Sequence, residues 1–418
     1  MSNNKTVEQV LDEVESAYAR MAAAIPHFHE RATQREMSEA IVQTFMGEDG
    51  RPLIAVEGQT GTGKTLAYLL AAIPVAQAMD KKLVLATATT ALQGQLVGHE
   101  IPAVERHAGF EFTTLVAKGR GRYVDPNRLN QLLGRDPNQT VMFDEETPEA
   151  VWTHEPSERE IAQLKDMAQR LDAREWDGCC DSLDYEVDSR SWALVASTPY
   201  TCSSMSQCQP IGLCPFHKAR VAMKDVDVIV ANHDLVLSDL LLGGGLVLPE
   251  PDSALYVLDE GHHLPEKAVE HASAEGNLRS IIDNVTQFTR VVAQLPNPVQ
   301  PAADLQRLSQ QLSQDARELR TVLGALDYQR CWDETVLYRA PGGECPEAVR
   351  EAALKIKEPL AEATKSAAGV VKAIDDAEIT EPTRKAQIDK LAPEIGAIKD
   401  RLTNAVRLFD LIGALPEP

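Results

Sequence analysis

The chain has 418 residues, of which 44% are hydrophobic and 25% charged, which suits a globular protein with domains of about 100–200 residues each. Its 63 acidic and 41 basic residues give a formal net charge of −22, which excludes a protein that coats nucleic acid with its whole surface. Apolar runs all fall short of the roughly 20 residues that span a bilayer, and the start of the chain lacks signal-peptide features. The sequence therefore predicts a cytoplasmic protein without a membrane partner, and a nucleic-acid enzyme with a local basic track remains compatible with its charge.

Apolar periodicity predicts helices over 7–24 and 33–46, followed by a short buried strand from Pro52 to Val56. A glycine loop and a helix from Lys64 to about Met79 come next. The later predicted elements are a strand over 82–87, a helix over about 91–104, and strands over 226–230 and 254–258. Strands that alternate with helices predict right-handed crossovers and an α/β fold around a parallel sheet.

Composition separates two further stretches from this α/β part. Residues 141–190 contain fifteen acidic and five basic side chains, and a cysteine cluster follows them. Residues 268–418 are rich in Ala, Leu, Gln, Glu and Lys at helical spacing, which predicts an all-helical domain. The predicted domains are an α/β lobe of 1–111 and 219–267, an insertion of 112–218, and a helical domain of 268–418.

A phosphate-binding loop (P-loop) is predicted from residue 58 to residue 65, which match the pattern G-x-x-x-x-G-K-[ST]. Gly58, Gly61 and Gly63 let the backbone curl so that its N–H groups face an anion. Lys64 is expected to reach the β- and γ-phosphates of ATP, and the Thr65 hydroxyl to coordinate Mg²⁺. The alternative is an ordinary glycine-rich turn before a helix, but a predicted strand before the loop and a helix after it favour the nucleotide site.

A second acidic element follows the strand predicted over 254–258. Asp259 and Glu260 would lie at the carboxyl edge of the sheet, where ligands of α/β proteins bind. We expect Asp259 to hold the Mg²⁺ shell and Glu260 to activate the attacking water, so that these two and Lys64 are the predicted catalytic residues. His262 and His263 could form a metal site instead, but neighbouring side chains at a strand end are expected to point apart.

Several segments occur together in the order of one helicase family. They are Arg31 to Gln34, the P-loop, Ala86 to Gln93, Lys118 to Tyr123, Val230 to Leu235, and Asp259 to Pro265. Over roughly residues 30–265 the chain thus resembles the DinG family of XPD-like superfamily 2 iron–sulfur DNA helicases. The resemblance implies a RecA-like first lobe with an iron–sulfur insertion, and a helical Arch-like domain for 268–418. It also implies a 5′-to-3′ DNA helicase that uses ATP to unwind forked, D-loop or R-loop substrates, with a role in DNA repair.

The same resemblance assigns roles to residues outside the P-loop. Gln34 would contact adenine, since its amide offers both a donor and an acceptor. His262 would couple the nucleotide site to the rest of the motor. The residues that would touch the backbone of single-stranded DNA are Thr87, Thr89 and Gln93. The alternatives are that Gln34 is an exposed helix residue and that these threonines are helix caps.

A basic segment with an aromatic ring adds to the predicted DNA track. Arg120, Arg122 and Tyr123 interleave positive charge with a ring on which a base could stack, in a chain that is acidic elsewhere. The alternative is a solvated turn whose arginines pair with nearby acidic residues.

Three clustered cysteines, Cys202, Cys208 and Cys214, could converge on one metal centre. The family resemblance implies a 4Fe–4S cluster with four cysteines, but the position of the first is Asp125 here. A carboxylate is a harder ligand for iron than a thiolate, so the cluster could lose one iron and become 3Fe–4S. One alternative takes the fourth thiolate from Cys179 or Cys180.

Another alternative places zinc on the three cysteines and His217. Cys214 and His217 have two residues between them, a spacing found in zinc sites. Iron, sulfide and zinc analysis of protein purified without oxygen would distinguish these metals.

Segments typical of a second RecA-like lobe are not found after Glu260. Because that lobe supplies arginine fingers, the sequence predicts binding of ATP·Mg²⁺ and single-stranded DNA with slow hydrolysis by these residues alone. The alternative function is a non-motor ATP- and DNA-binding iron–sulfur module, or one half of a two-chain motor. The expected partners are single-stranded DNA, forked or R-loop nucleic acid, and single-strand-binding protein.

Overall fold

The structure is a computed structural model. It describes residues 5–26, 28, 30–47, 53–59, 61–135, 157–198, 214–296, 304–326, 329–330, 336–338, 340, 344–376 and 382–414. The chain divides into two units, Met1–Ala272 and Ser273–Pro418. Among the described helices, none combines the length and the apolar composition that a bilayer span requires.

The helices of the first unit surround its sheet and the insertion. They are α1 (Val7–Ala24), α2 (Ala32–Met46), α3 (Lys64–Ala78), α4 (Thr90–Gln95), α5 (Ile101–His107), α6 (Pro126–Leu132), α7 (Glu158–Asp172), α8 (Ser189–Val195), α9 (Pro215–Ala222), α10 (His233–Leu241) and α11 (Leu264–Ala272). A π-helical turn, Leu96–Glu100, joins α4 to α5, so the helix predicted over 91–104 is interrupted. The first helix begins as predicted because Thr6 and Gln9 form a reciprocal capping box.

The described part of the first unit contains a four-stranded sheet in the order β2-β3-β1-β4. Its strands are β1 (Lys82–Thr87), β2 (Thr114–Val116), β3 (Val228–Asn232) and β4 (Ala254–Leu258). All the pairings are parallel, which confirms the predicted sheet. The bounds of β1 and β4 match the prediction, whereas β3 begins two residues later and the edge strand β2 was not predicted.

Side chains that alternate in direction along β1 pack against helices on both faces of this sheet. Leu83 and Leu85 pack into the core formed with α1, α3 and α5. Val84 and Ala86 point to the other face, where they pack with Val236 of α10. Because successive strand residues face opposite ways, a run of apolar residues is what a strand covered on both faces requires.

The strand predicted from Pro52 to Val56 is wrong over its described residues. Residues 53–59 form no strand, and the side chains of Leu53 and Val56 are 77% and 41% exposed. A short apolar run is a weak strand signal by itself, since a strand also needs a neighbour that accepts its backbone hydrogen bonds. β1 has such neighbours on both sides, and residues 53–56 have none among the described strands.

The second unit is built from long amphipathic helices, as predicted for residues 268–418. These are α12 (Leu278–Val292), α13 (Leu305–Gly324), α14 (Glu347–Asp376) and α15 (Pro382–Gly413). Their apolar faces form one core that includes Phe288 and Leu360, both completely buried. An antiparallel pair of very short strands, β5 (Gln329–Arg330) and β6 (Val336–Leu337), was not predicted.

Candidate nucleotide site and cysteine region

The P-loop and the acidic element both lie at the carboxyl edge of the sheet. Asp259 directly follows β4, and its N–H donates to the carbonyl of Ala86, near the end of β1, at 2.8 Å. The P-loop leads into α3, whose first residue is Lys64. The topology therefore puts the predicted phosphate-binding and metal-binding residues on one side of the sheet, as in other parallel α/β proteins.

The backbone of the P-loop depends on its glycines. Gly61 and Gly63 have φ values of 82° and 77°, in the left-handed region that side chains disfavour. The Lys64 ammonium donates to the carbonyl of Gly58 at 3.0 Å and so closes the loop on itself. With α3 pointing its N-terminus into this loop, the arrangement suits a bound phosphate chain.

The three predicted catalytic residues lie close together. The Lys64 ammonium is 3.7 Å from a carboxylate oxygen of Glu260. Glu260 itself has a φ of 53°, an uncommon backbone conformation for a residue with a side chain. Such strain is frequently found at functional sites, and here it turns the chain immediately after Asp259.

Tyr68 was missed by the sequence analysis. Its hydroxyl donates to Oδ2 of Asp259 at 3.2 Å, and it lies one turn after Thr65, with which it also interacts. Burial, followed by the nearby Asp259 charge, raises the pKa of Tyr68 well above its usual range, so the phenol stays protonated and remains a donor. Tyr68 therefore links the two side chains that are predicted to hold Mg²⁺. Its position one turn after Thr65 places it near the P-loop, but its contact with Asp259 has no signal in the sequence.

Replacing Tyr68 with phenylalanine is expected to raise the Mg²⁺ concentration needed for ATP turnover by about tenfold, as is typical when a side chain that hydrogen-bonds a metal ligand is removed. The ring stays in place, and the hydroxyl is lost with its hydrogen bonds to Asp259 and Thr65, the two predicted Mg²⁺ ligands. The measurement is ATP turnover during a Mg²⁺ titration.

Tyr256→Phe is the matched control, since Tyr256 lies on β4 but its hydroxyl donates to the carbonyl of Pro249. An equal shift in both variants, or none in Tyr68→Phe, would contradict the positioning role.

Gln34, on α2, hydrogen-bonds to the backbone of the P-loop. Its amide Nε2 donates to the carbonyl of Gly63 at 3.3 Å, and its Oε1 accepts from the N–H of Arg31 at 3.0 Å. A side chain at position 63 would displace this amide, and the φ of 77° disfavours any residue but glycine there. Gln34 is buried rather than an exposed helix residue, and its contact with adenine stays a prediction.

His262 and His263 were expected to point apart, but their rings lie together. Both belong to a 3₁₀ turn, Gly261–His263, rather than to a strand, and their ring centroids are 4.1 Å apart. His262 Nδ1 lies 3.3 Å from Oε2 of Glu260. His262 therefore contacts the acidic element, which suits its predicted coupling role.

His233 is another residue that the sequence analysis did not single out. It begins α10 at the end of β3 and is completely buried. Its imidazole lies against the backbone of Ala86 and Asp259, and burial lowers the pKa of the ring. A neutral histidine thus packs beneath the turn that presents the acidic element.

The segment predicted to contact single-stranded DNA is only partly accessible. Thr89 is exposed and caps α4, accepting from the N–H of Leu92 at 3.3 Å. Thr87 is buried and donates to the carbonyl of Thr89 at 3.0 Å. Gln93 is also buried and donates to the carbonyl of Val230 at 3.4 Å. Of the three, Thr89 is the side chain placed to meet a ligand directly.

The basic segment is engaged by neighbouring side chains. The Arg122 guanidinium donates to Asp181 at 3.2 Å, as the alternative interpretation of this segment expected. Arg120 lies over the ring of Phe216, 4.7 Å from its centroid. Tyr123 is 6% exposed, and burial raises its pKa to about 12. A base could therefore stack on Tyr123 only after a rearrangement, whereas Arg122 is exposed.

The structure describes part of the predicted metal centre. Cys202 and Cys208 lie outside the described residues, and Cys214 is buried at the start of α9. Asp125 is also buried, and its Oδ1 accepts from the N–H groups of Asn127 and Arg128 at 3.0 and 3.4 Å. Within the described part of the chain, no three His, Cys, Asp or Glu side chains are grouped to hold a metal ion.

Comparison with curated proteins finds relatives that share one name, ATP-dependent DNA helicase DinG. The protein from Photobacterium profundum is 28% identical over 410 residues, covering 97% of this chain and 58% of the relative. The one from Escherichia coli strain K12 is 33% identical over 346 residues, covering 80% of this chain and 46% of the relative. The Salmonella typhimurium protein gives the same identity and covers 47% of the relative. The chain thus spans about half the length of the curated relatives it matches.

Two other comparisons add less. No protein-family model matches the chain. A solved structure described as truncated XPD is 12% identical and covers 86% of this chain and 81% of its own, with a TM-score of 0.36, too low to support an argument. The similarity to the curated relatives extends over most of this chain. The chain is thus similar to proteins named ATP-dependent DNA helicase DinG over most of its own length and about half of theirs.

Proposed function

We propose that this chain contributes the ATP-binding part of a DinG-like DNA helicase. The activity proposed is ATP-driven 5′-to-3′ translocation on single-stranded DNA, with unwinding of forked, D-loop or R-loop substrates. The observation that carries the proposal is the convergence of Lys64, Asp259 and Glu260 at one edge of a parallel sheet. These residue types in this arrangement are what phosphoryl transfer to water requires.

Each residue has a distinct task in this proposal. Thr65 and Asp259 would hold Mg²⁺, which neutralises charge on the phosphates, and Tyr68 keeps the Asp259 carboxylate oriented. The Lys64 ammonium donates a hydrogen bond to the carbonyl of Gly58 and would donate to a phosphate oxygen instead when ATP binds. Glu260 lies near Lys64 and would accept a proton from the attacking water once the phosphate draws the ammonium away.

A basic path would bring the DNA strand to this site. The net charge of −22 makes general attraction of DNA unfavourable, so binding must depend on a local surface. We propose that Arg120, Arg122 and Thr89 contribute to it, with Thr87, Gln93 and Tyr123 supporting them from buried positions. Release of Arg122 from Asp181 would supply a cation for a phosphate of the strand.

We also propose an iron–sulfur cluster bound through Cys202, Cys208 and Cys214. The proposed location of the protein is the cytoplasm, and its proposed process is DNA repair. The fit rests on donor chemistry, since buried thiols suit iron–sulfur clusters and the buried Cys214 and Cys179 belong to one small apolar cluster. Single-strand-binding protein is the proposed protein partner. Analysis for iron, sulfide and zinc tests the metal, and zinc without sulfide would contradict the cluster.

The decisive test of the proposed function is ATP turnover by the chain with and without single-stranded DNA. We expect a rise of about fivefold or more, the lower end of typical coupling between two sites. Binding of both ligands with no stimulation would instead support the non-motor module. A chain that binds neither ATP nor single-stranded DNA would contradict both functions.

A further inference from the structure

Asp234 belongs to the segment from Val230 to Leu235 and has no task in the proposed mechanism. Asn232 ends β3 and caps α10, because its Oδ1 accepts from the N–H of Leu235 at 2.9 Å. Asp234 lies in the first turn of α10, where the positive end of the helix dipole favours a carboxylate. This turn begins at the carboxyl edge of the sheet, the same edge at which Asp259 follows β4.

The Asp234 carboxylate joins α10 to α11. Lys267 Nζ donates to both of its oxygens at 2.8 Å, and His271 Nε2 lies 3.2 Å from its Oδ1. Lys267 and His271 are four residues apart on α11 and therefore share one face of that helix. One carboxylate thus contacts α11 at two successive turns, which opposes both sliding and rotation of the helix.

α11 is the helix that directly follows the acidic element. The 3₁₀ turn Gly261–His263 begins after Glu260, and α11 starts at the next residue, Leu264. Because this short turn is the whole connection, a shift of α11 moves the backbone that carries Glu260. The φ of 53° at Glu260 is uncommon for a residue with a side chain, and such a conformation persists only where the surrounding structure holds it.

The preceding residue, His233, supports the other end of the same segment. It is completely buried, and its imidazole lies against the backbone of Ala86 and Asp259. The first two residues of α10 therefore contact the chain on both sides of the acidic turn. His233 does so at Asp259, and Asp234 does so on α11.

The Asp234 cluster lies at the surface of the first unit. The side chains of Asp234, Lys267 and His271 are 44%, 22% and 25% exposed. Partial burial opposes ionisation, but the hydrogen bonds from Lys267 and His271 lower the pKa of Asp234, so its carboxylate is charged at neutral pH. Ion pairs this exposed add little to overall stability, so substitutions here are suited to a test of function.

We propose that Asp234 is a positioning residue for the acidic element, acting through Lys267 and His271 of α11. It fixes α11 so that the Glu260 carboxylate keeps its place beside Lys64. The inference rests on the proposed ATP hydrolysis and adds to it a residue that lies outside the predicted nucleotide-binding and metal-binding set.

The test compares steady-state ATP turnover by the full-length chain with that of its Asp234→Asn and Lys267→Met variants, at saturating single-stranded DNA. We expect kcat to fall about tenfold in each, since a small misplacement of a catalytic group can cost up to about 10²-fold. The KM for ATP should change by less than about twofold, because the P-loop is untouched. Unchanged kcat in Asp234→Asn would overturn the proposal.

Asp184→Asn is the matched control, because Asp184 is also a surface carboxylate in an ion pair, with Arg170 at 2.9 Å, in the same unit. Its kcat should equal the wild-type value, and a loss as large as that of Asp234→Asn would overturn the proposal. Circular dichroism at the assay temperature is recorded for each variant. A fall in kcat that matches a loss of folded protein would also overturn it.

The double variant Asp234→Asn, Lys267→Met tests whether the two residues act through one contact. Its kcat should fall about tenfold rather than about a hundredfold, because both changes break the same contact and their effects are not additive. A hundredfold fall would mean that the residues act separately and would overturn the proposal. Wild-type chain that does not hydrolyse ATP would contradict the proposed function itself, a separate result.

Discussion

Lys64→Ala is expected to lower DNA-stimulated ATP turnover by about 10²–10³-fold, the usual cost of removing one preorganised donor from a transition state. The ammonium closes the P-loop on Gly58 and lies near Glu260. It lies 3.7 Å from a carboxylate oxygen of Glu260, and charge on the transferring phosphoryl group needs a positive partner at this place. The loss should fall mainly on turnover, because the loop N–H groups still bind phosphate.

The measurement is steady-state ATP turnover at saturating single-stranded DNA, together with nucleotide affinity. Lys165→Ala is a matched control, because Lys165 is an exposed lysine on α7 in the same unit. Turnover in that variant should equal the wild-type value. If Lys64→Ala and Lys165→Ala hydrolysed ATP equally well, the nucleotide site would have to lie elsewhere.

Patterns with a direct local cause could be predicted from the sequence. β1 and β4 match their predicted bounds because each is a short apolar run that ends at polar residues, although β4 is an edge strand buried only at its start. The same parallel order places Asp259 at the sheet edge, since carboxyl ends of parallel strands share one edge. Lys64, which was predicted to join this site from the P-loop, lies 3.7 Å from a carboxylate oxygen of Glu260.

Features that depend on a distant partner could not be predicted in this way. Residues 53–56 have a strand-like composition but no neighbouring strand among the described residues, and their exposure follows from that. Tyr68 and Gln34 act through Asp259 and the carbonyl of Gly63, which lie far away in sequence. Periodicity within a helix gives no sign of such contacts.

The residues predicted to contact DNA illustrate a related limit. A motif identifies Thr87 and Gln93 but does not tell which side chain faces solvent, and both are buried here. Their hydrogen bonds to backbone carbonyls hold the start of α4 against the sheet. Position within a motif thus predicts proximity to the site better than it predicts contact.

Leu360→Ala is expected to destabilise the helical unit by about 2–5 kcal/mol, the range for leucine truncation in well-packed cores. Leu360 lies on α14, is completely buried, and belongs to the core that α12, α13, α14 and α15 form together. The long helices offer little room to collapse into the resulting cavity, because many neighbours hold each of them in place. The measurement is urea unfolding of the full chain, followed by circular dichroism.

Leu354→Ala is the matched control, since Leu354 lies on the same helix but is 43% exposed. Its loss should cost about 1 kcal/mol or less, as expected for a side chain that is only partly removed from water. The difference between the two variants measures burial alone, because residue type, helix and substitution are the same. Equal destabilisation would mean that these helices do not form a common core around Leu360.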